Sequence, residues 1–273
     1  MNDLQKKELR LLVWFDRVCG ELGLPYFLVC GSALGAVKYK GFIPWDDDVD
    51  VGMLRGDYDR FMREAPALLP EGIFLQNFRS DPAYPLIFAK LRDSNTTYVE
   101  TGLAHIPVNH GVYMDIFPLD GYPADPKDQR RFERRKRIFR CKLLAALEGN
   151  YSPRARLAVT AMRLMGVHKR TGRILERYEQ MIRAYPPEES ELICNHGNWQ
   201  GQLEYAPREQ YGEGTAAEFV GIKVRVPAQY DMYLTRKYGD WRAELPPEQQ
   251  VGHHYYTVMD LNTPYTEFLR SYP

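Results

Sequence analysis

Apolar residues recur at spacings of three and four along the first 22 positions of the chain. This spacing predicts an amphipathic helix that ends at Gly23-Leu24-Pro25, since glycine and proline there stop a helix. The apolar positions of this helix are Leu4, Leu11, Leu12, Phe15, Val18, Cys19 and Leu22. The apolar run 26–30 then predicts a strand.

The same reading along the rest of the chain gives alternating helices and strands. This alternation predicts an α+β fold, a mixed β-sheet covered by helices. The expected elements are a helix from Ser32, an acidic strand over 48–53, a helix over 57–69, strands over 73–78, 85–92 and 111–117, helices over 127–147 and 154–185, strands within 218–226, a helix over 230–238 and a turn or helix over 265–271.

The segment Asp46-Asp47-Asp48-Val49-Asp50 places four carboxylates within five positions. Like charges so close repel one another, and a bound cation would offset that repulsion. If a strand begins at Asp48, the period of two puts Asp48 and Asp50 on one face and the valines on the other, against a core. Paired carboxylates suit Mg²⁺ or Mn²⁺. Asp46, in the loop before the strand, is expected to lie outside the direct ligands.

Gly31-Ser32 follows the apolar run 26–30. Glycine lets the backbone approach a ligand closely, and Ser32 is a suitable N-cap for a helix over 33–39. Backbone N–H groups at a helix start attract anions. The two segments together predict a phosphate held beside a metal ion.

This region has three other interpretations. A solvated acidic loop stays open at this point. A calcium loop of the EF-hand type is disfavoured because its sixth position is Val51, where glycine is needed, and its twelfth is Asp57 instead of glutamate. A P-loop is excluded because the chain has no Gly-x-x-x-x-Gly-Lys-[Ser/Thr].

Several segments of the chain resemble the LicD family, which includes bacterial phosphocholine transferases and, more distantly, fukutin-related phospho-sugar-alcohol transferases. The most specific is Ile43-Pro44-Trp45-Asp46-Asp47-Asp48. The resemblance covers about 24–122 and resumes near 219–268. Supporting segments are 25–28, 31–38, 89–93 with Thr96-Thr97, 111–121, and Tyr238-Gly239-Asp240 with His253-His254.

The resemblance implies a nucleotidyltransferase-like fold and a reaction. A phospho-alcohol, typically phosphocholine, would pass from a CDP-linked donor to a hydroxyl of a glycan or glycolipid precursor, with release of CMP. Metal-assisted displacement at phosphorus fits this chemistry. Two alternatives remain: transfer of a nucleoside monophosphate to a small molecule or protein, and a catalytically silent adaptor that binds glycan or membrane.

The resemblance also implies roles for particular residues. Asp115, a lone acid in the apolar run 112–119, would complete the metal site with Asp48 and Asp50 and would accept the acceptor's proton. The expected phosphate contacts are Lys38, Lys90 and Arg92, although Lys38 stands where the family usually has arginine. Expected further contacts to the nucleotide or substrate are Gly31, Ser32, Trp45, His253 and His254.

Composition places the chain among globular proteins. It has 273 residues, of which 44% are hydrophobic and 26% charged. The N-terminal segment lacks the apolar core of a signal peptide, and no apolar run reaches membrane-spanning length, so a cytoplasmic location is expected. The spacing of Cys19, Cys30, Cys141 and Cys194 indicates reduced thiols.

Charge is distributed unevenly, although the formal net charge is zero. Residues 127–183 contain 17 Lys plus Arg and 5 Asp plus Glu, a net charge of +12. This basic helical segment would bind an anionic membrane or a polyanionic acceptor, or would be a solvated helix face. No nucleic-acid-binding module is recognisable. We predict a catalytic core over 1–125, a basic helical insertion over 126–188 and a C-terminal part over 189–273 that completes the catalytic domain.

Overall fold

The computed structural model describes residues 1–198, 200–252 and 255–271. Helices and strands are mixed along the chain, as the sequence predicts. The helices are α1 (Asp3–Leu22), α2 (Cys30–Tyr39), α3 (Arg55–Glu64), α4 (Pro126–Leu143), α5 (Pro153–Leu164), α6 (Thr171–Ile182), α7 (Tyr230–Tyr238) and α8 (Tyr265–Ser271).

Within the described residues, the strands form one large sheet and two separate antiparallel pairs. They are β1 (Phe27–Leu28), β2 (Asp50–Leu54), β3 (Ile73–Gln76), β4 (Ala89–Asp93), β5 (Thr97–Glu100), β6 (Val112–Gly121), β7 (Leu192–Asn195), β8 (Tyr205–Pro207), β9 (Thr215–Phe219), β10 (Ile222–Val226) and β11 (Tyr256–Asp260). The large sheet has the order β1-β2-β6-β4-β3, and β7 pairs with β6 and with β8. The two separate pairs are β9 with β10 and β5 with β11. Strands β2 and β6 are parallel, while β4 is antiparallel to β6 and to β3. The sheet is therefore mixed.

Strand β6 is the central strand of this sheet. All ten of its residues are buried. Alternate positions such as Met114 and Ile116 belong to the main hydrophobic core, where they pack with apolar residues of α1 such as Leu12 and Phe15. Burying such side chains contributes roughly 1.5–3 kcal/mol each. A lone acid on β6 therefore occupies a rigid, desolvated position.

The opening helix agrees closely with its prediction. Asn2 accepts a hydrogen bond from the backbone of Gln5, and the Gln5 side chain accepts one from the backbone of Asn2, which forms a capping box. Gly23 ends the helix in the left-handed conformation, with φ of 65°. Helices α7 and α8 also have the predicted bounds.

Several predicted elements differ from the structure in their bounds, among them the strand expected over 85–92, which begins at Ala89. Strand β2 starts at Asp50, two residues later than expected. Helix α2 starts at Cys30, so Ser32 lies inside its first turn and does not cap it. Helix α3 covers 55–64, and a separate 3-10 turn over 65–67 contains Pro66. The helix expected over 154–185 is divided, because Gly166 adopts φ of 69° between α5 and a 3-10 turn at 167–170.

The basic segment packs onto the sheet through its own hydrophobic cluster. Phe132 and Leu143 of α4 and Tyr178 and Ile182 of α6 join Tyr122, which follows β6. Within the ranges described above, no helix is both long and apolar enough to cross a bilayer. The three-part division of the chain stays a prediction, although β7, from the C-terminal part, pairs with β6.

Candidate functional site

The central feature of the site is a row of polar residues across four adjacent strands. Register pairs Asp50 of β2 with Asp115 of β6, Asp115 with Lys90 of β4, and Lys90 with Gln76 of β3. Residues paired in register point to the same face of a sheet. Asp50, Asp115 and Lys90 therefore share one face, while the next residue of β2, Val51, belongs to the core.

Asp48 joins this row from the segment just before β2. The N–H of Asp115 donates to the carbonyl of Val49 at 2.8 Å, so the parallel pairing continues one residue beyond β2. Val49 is fully buried in the core, and Asp48 lies on the opposite side with Asp50. Asp48, Asp50 and Asp115 are 7%, 8% and 5% exposed. A metal site formed by these three acids stays a prediction.

The Lys90 ammonium lies between two carboxylates. Its Nζ donates to Asp115 Oδ1 at 2.8 Å and lies 3.2 Å from Glu100 Oε1. It also lies 3.3 Å from the centroid of the Tyr113 ring, a cation–π distance. Lys90 is only 2% exposed. This differs from the expected phosphate contact, because the ammonium is enclosed by groups of the protein.

Arg92 is likewise enclosed. Its guanidinium donates to Gln76 Oε1 at 2.7 Å, to the carbonyl of Gly111 at 2.8 Å and to Glu100 Oε2 at 2.8 Å, and the residue is fully buried. A phosphate contact needs a side chain that opens on the substrate. The structure instead gives Arg92 the role of fixing Glu100 and the loop before β6.

Glu100, at the end of β5, connects these two cations. Burial alone would raise the pKa of Glu100, but the charges of Lys90 and Arg92 lower it to about 2. Glu100 is thus held as a carboxylate beside the ammonium that contacts Asp115. Sequence reasoning missed Glu100, because no spacing or motif connects position 100 to positions 90 and 115.

The turn from β1 into α2 lies beside the acidic segment. The Ser32 hydroxyl accepts a hydrogen bond from the N–H of Asp50 at 2.8 Å, which fixes α2 to the start of β2. Cys30 adopts φ of 52°, unusual for a residue with a side chain, and its N–H donates to the Tyr233 hydroxyl of α7. Ser32 therefore positions the acidic strand instead of capping the helix.

Gly31 lies directly against the Asp46 carboxylate. A Cβ at position 31 would lie 2.6 Å from Asp46 Oδ2, closer than van der Waals contact allows. The Gln5 amide, from α1, donates to the backbone carbonyl of Asp46 at 2.9 Å and so holds this loop in place. A carboxylate beside the first turn of a helix is stabilised by the helix dipole. Asp46 thus places negative charge next to the predicted phosphate pocket.

The other predicted contacts lie at the margin of this region or outside the described residues. Lys38 donates to the carbonyl of Ala243 at 2.7 Å and lies 3.1 Å from Glu244, so it fixes the loop after α7. Trp45 is half-buried and contacts the Tyr39 ring edge-on, with centroids 6.3 Å apart. His253 and His254 lie outside the described residues.

The chemistry of the donor set suits a hard cation. Asp48, Asp50 and Asp115 supply only carboxylate oxygens, the ligands that Mg²⁺ and Mn²⁺ prefer. Among the described residues, no group of three or more His, Cys, Asp or Glu side chains is arranged to hold a metal ion. The fit therefore rests on ligand type, common face and burial, and Mg²⁺ or Mn²⁺ stays a prediction.

Comparison with known proteins adds independent information. Residues 23–133, which contain the whole polar row, match the family model for the LicD/FKTN/FKRP nucleotidyltransferase domain. The chain is 28% identical over 251 residues to the lipopolysaccharide cholinephosphotransferase LicD of Haemophilus influenzae, covering 90% of this chain and 92% of that protein. It is also 28% identical over 100 residues to an uncharacterized protein of Rickettsia prowazekii, covering 37% of this chain and 34% of that protein.

Proposed function

We propose that the protein is a transferase that moves a phospho-alcohol from a CDP-linked donor to a hydroxyl of a cell-surface glycan or glycolipid precursor. CMP would be released. Phosphocholine is the leading candidate for the transferred group. The premise of this proposal is the LicD-family domain of residues 23–133. The observation that carries this proposal is the register of Asp50 with Asp115 on adjacent parallel strands, with Asp48 on the same face. A nucleotidyltransferase-like sheet is part of the same proposal.

Asp48, Asp50 and Asp115 would hold Mg²⁺ or Mn²⁺, and the bound ion would neutralise charge on the transferring phosphate. Asp115 is our candidate for the proton acceptor of the incoming hydroxyl. Lys90 would orient the Asp115 carboxylate through their 2.8 Å contact, because its ammonium is buried against Asp115 and Glu100. Backbone N–H groups at the first turn of α2 would contact the donor's phosphates.

The first experiment measures CMP release from CDP-choline with a choline-free lipopolysaccharide acceptor and Mg²⁺. Asp50→Asn and Asp115→Asn should each lower turnover at least about a hundredfold, since a carboxylate ligand supports several kcal/mol of charge stabilisation. Asp3→Asn is the matched control, because its side chain is 78% exposed and pairs with the exposed Lys6 on the first turn of α1. Full turnover in the Asp50 or Asp115 variant would eliminate the proposal.

The same assay separates the leading function from nucleoside monophosphate transfer. Following a label in the nucleotide and a label in the choline tells which part reaches the product. A product that carries choline and no nucleotide supports phospho-alcohol transfer, whereas a product that keeps the nucleotide supports the alternative. Chelation with EDTA should abolish the reaction, and added Mg²⁺ or Mn²⁺ should restore it.

A further inference from the structure

Helix α5 turns an apolar side outward. Leu157, Leu164 and Met165 are 74%, 85% and 68% exposed, and their spacing places them on one side of the helix together with Ala161, which is also exposed. We call these four residues the α5 apolar face. The opposite side of the helix carries the buried Val159.

This arrangement is the inverse of an ordinary surface helix. The arginine near the end of α5, Arg163, points inward and donates to the backbone carbonyls of Ala145 and Leu147, at 3.0 and 2.6 Å. A helix at a protein surface normally directs such a charge to water and its leucines to the core. The α5 apolar face therefore lacks cover from the rest of the described chain.

Exposed cations flank the α5 apolar face along the chain. Arg154 and Arg156 lie in the first turn of α5, and Lys169 and Arg170 lie in the 3-10 turn that follows it. Among the ion pairs between described residues, none involves these four side chains. They belong to the segment 127–183, whose net charge is +12.

We propose that the α5 apolar face docks onto a bilayer surface that carries anionic lipid headgroups. Leucine and methionine side chains would enter the boundary between headgroups and acyl chains, while the flanking arginines and lysine pair with the headgroup phosphates. This combination of exposed apolar residues with basic flanks is typical of a helix that lies in the plane of a membrane interface.

The charges and the leucines together favour a bilayer over two other occupants. A water-soluble anionic glycan would satisfy the arginines and leave Leu157 and Leu164 in water. A second copy of the chain would cover the leucines but bring two strongly basic segments together, which is repulsive. An anionic bilayer would bury the leucines and also pair with the basic side chains.

Vesicle binding tests this proposal without any substrate, so it fails or succeeds separately from the proposed reaction. The full chain is sedimented with vesicles of phosphatidylcholine alone or with equal parts of phosphatidylglycerol. We expect binding to the vesicles with phosphatidylglycerol, weakened by salt because exposed charges are screened. Equal binding to both vesicle types, or binding to neither, would overturn the proposal.

Leu164→Glu is the decisive variant. It should lower the vesicle affinity about tenfold or more, since one buried leucine side chain is lost from the interface. Val13→Glu is the matched control, because Val13 is an exposed apolar residue of α1 and should leave binding unchanged. Unchanged melting temperatures show that both variants fold.

Two further outcomes would show that the α5 apolar face does not dock onto a bilayer. If native protein is dimeric in size-exclusion chromatography and Leu164→Glu is monomeric, the face is an interface between copies of the chain. If Leu164→Glu binds the vesicles as well as the native protein does, only the basic residues contribute and the α5 apolar face has no part in docking. Either result contradicts the proposal.

Discussion

At the scale of single residues, the polar row depends on compensation of buried charge. Isolated charges are costly away from water, so each buried acid on this face needs a partner. Lys90 supplies one for Asp115 and, together with Arg92, for Glu100. The protein therefore keeps paired charges in fixed positions on one face of the large sheet before any substrate binds.

Replacing Lys90 should show how strongly the fold depends on this compensation. Lys90→Met removes the ammonium that Asp115 and Glu100 share, and we expect a loss of about 3–5 kcal/mol in the free energy of unfolding. Lys6→Met is the control, because Lys6 contacts Asp3 at 2.6 Å in an exposed pair, whose loss should change the free energy of unfolding far less. Urea denaturation measures both. Equal losses in the two variants would contradict the argument.

Gly31 provides a second prediction at this scale. In Gly31→Ala the new Cβ would meet Asp46 Oδ2 at 2.6 Å, so the Asp46 carboxylate must shift away from the first turn of α2. We expect CMP release to fall about tenfold or more, since small displacements of positioning groups are costly in catalysis. Gly20→Ala, on α1, meets nothing within 4 Å and should keep full activity. An active Gly31→Ala enzyme would show that the position of Asp46 is unimportant.

The residues that sequence reasoning found and missed differ in a physical way. Asp48 and Asp50 stand out in the sequence because four carboxylates crowd five positions, and Asp115 stands out as a lone acid in an apolar run. Glu100 gave no such signal, because its importance arises from contacts with Lys90 and Arg92 across two strands. The burial of Arg92 was also unpredictable, since Gln76 and Gly111 reach it only in the folded chain.

At the scale of elements, helices were predicted better than strands for a similar reason. Helix α1 carries its own amphipathic pattern and its own caps, so local sequence determines its bounds. The short strands β5, β7, β8 and β11 were not predicted, because their hydrogen bonds are made to distant segments. In this C-terminal region the range expected for strands, 218–226, covers β10 and only the end of β9.

The break between α5 and α6 gives a prediction for an element. Gly166 adopts φ of 69°, and a Cβ added there would meet nothing within 4 Å, so Gly166→Ala introduces backbone strain without a clash. We expect Gly166→Ala to lower the free energy of unfolding by about 1 kcal/mol. Gly172→Ala, inside α6, also meets nothing within 4 Å and has no positive φ, so it should stabilise by up to about 1 kcal/mol. Thermal unfolding measures the two opposite signs, and shifts in the same direction would contradict this account.

At the scale of the whole molecule, a network of charges attaches the basic segment to the sheet. Arg55 of α3 forms two hydrogen bonds with Asp120 of β6, at 2.7 and 2.5 Å, and lies 3.6 Å from Glu179 of α6. Glu179 also contacts Arg79 and Arg183. The attachment thus runs through Glu179, an acid of the basic segment, which contacts arginines of α3 and of the loop after β3.

Glu179 is the acid of α6 on which three arginines converge, so its replacement should loosen the attachment of the basic segment. Glu179→Gln removes the charge from a residue that is only 5% exposed. We expect the free energy of unfolding to fall by about 3 kcal/mol. Asp59→Asn is the control, because Asp59 pairs with Arg183 on a partly exposed surface and should cost at most about 1 kcal/mol. Denaturant unfolding at neutral pH measures both losses.

The pH dependence of the same variant gives a sharper test. Burial alone would raise the pKa of Glu179, but the hydrogen bond from Arg79 and the charges of Arg183 and Arg55 hold it below its ordinary value of 4.5. The carboxylate therefore stabilises the fold above that value, and its contribution is lost as pH falls through the lowered pKa. The stability difference between native protein and Glu179→Gln should accordingly be largest at neutral pH and shrink in acid. A difference that stays constant with pH would mean that the amide costs stability through packing, and that the charge network does not hold α6 to the sheet.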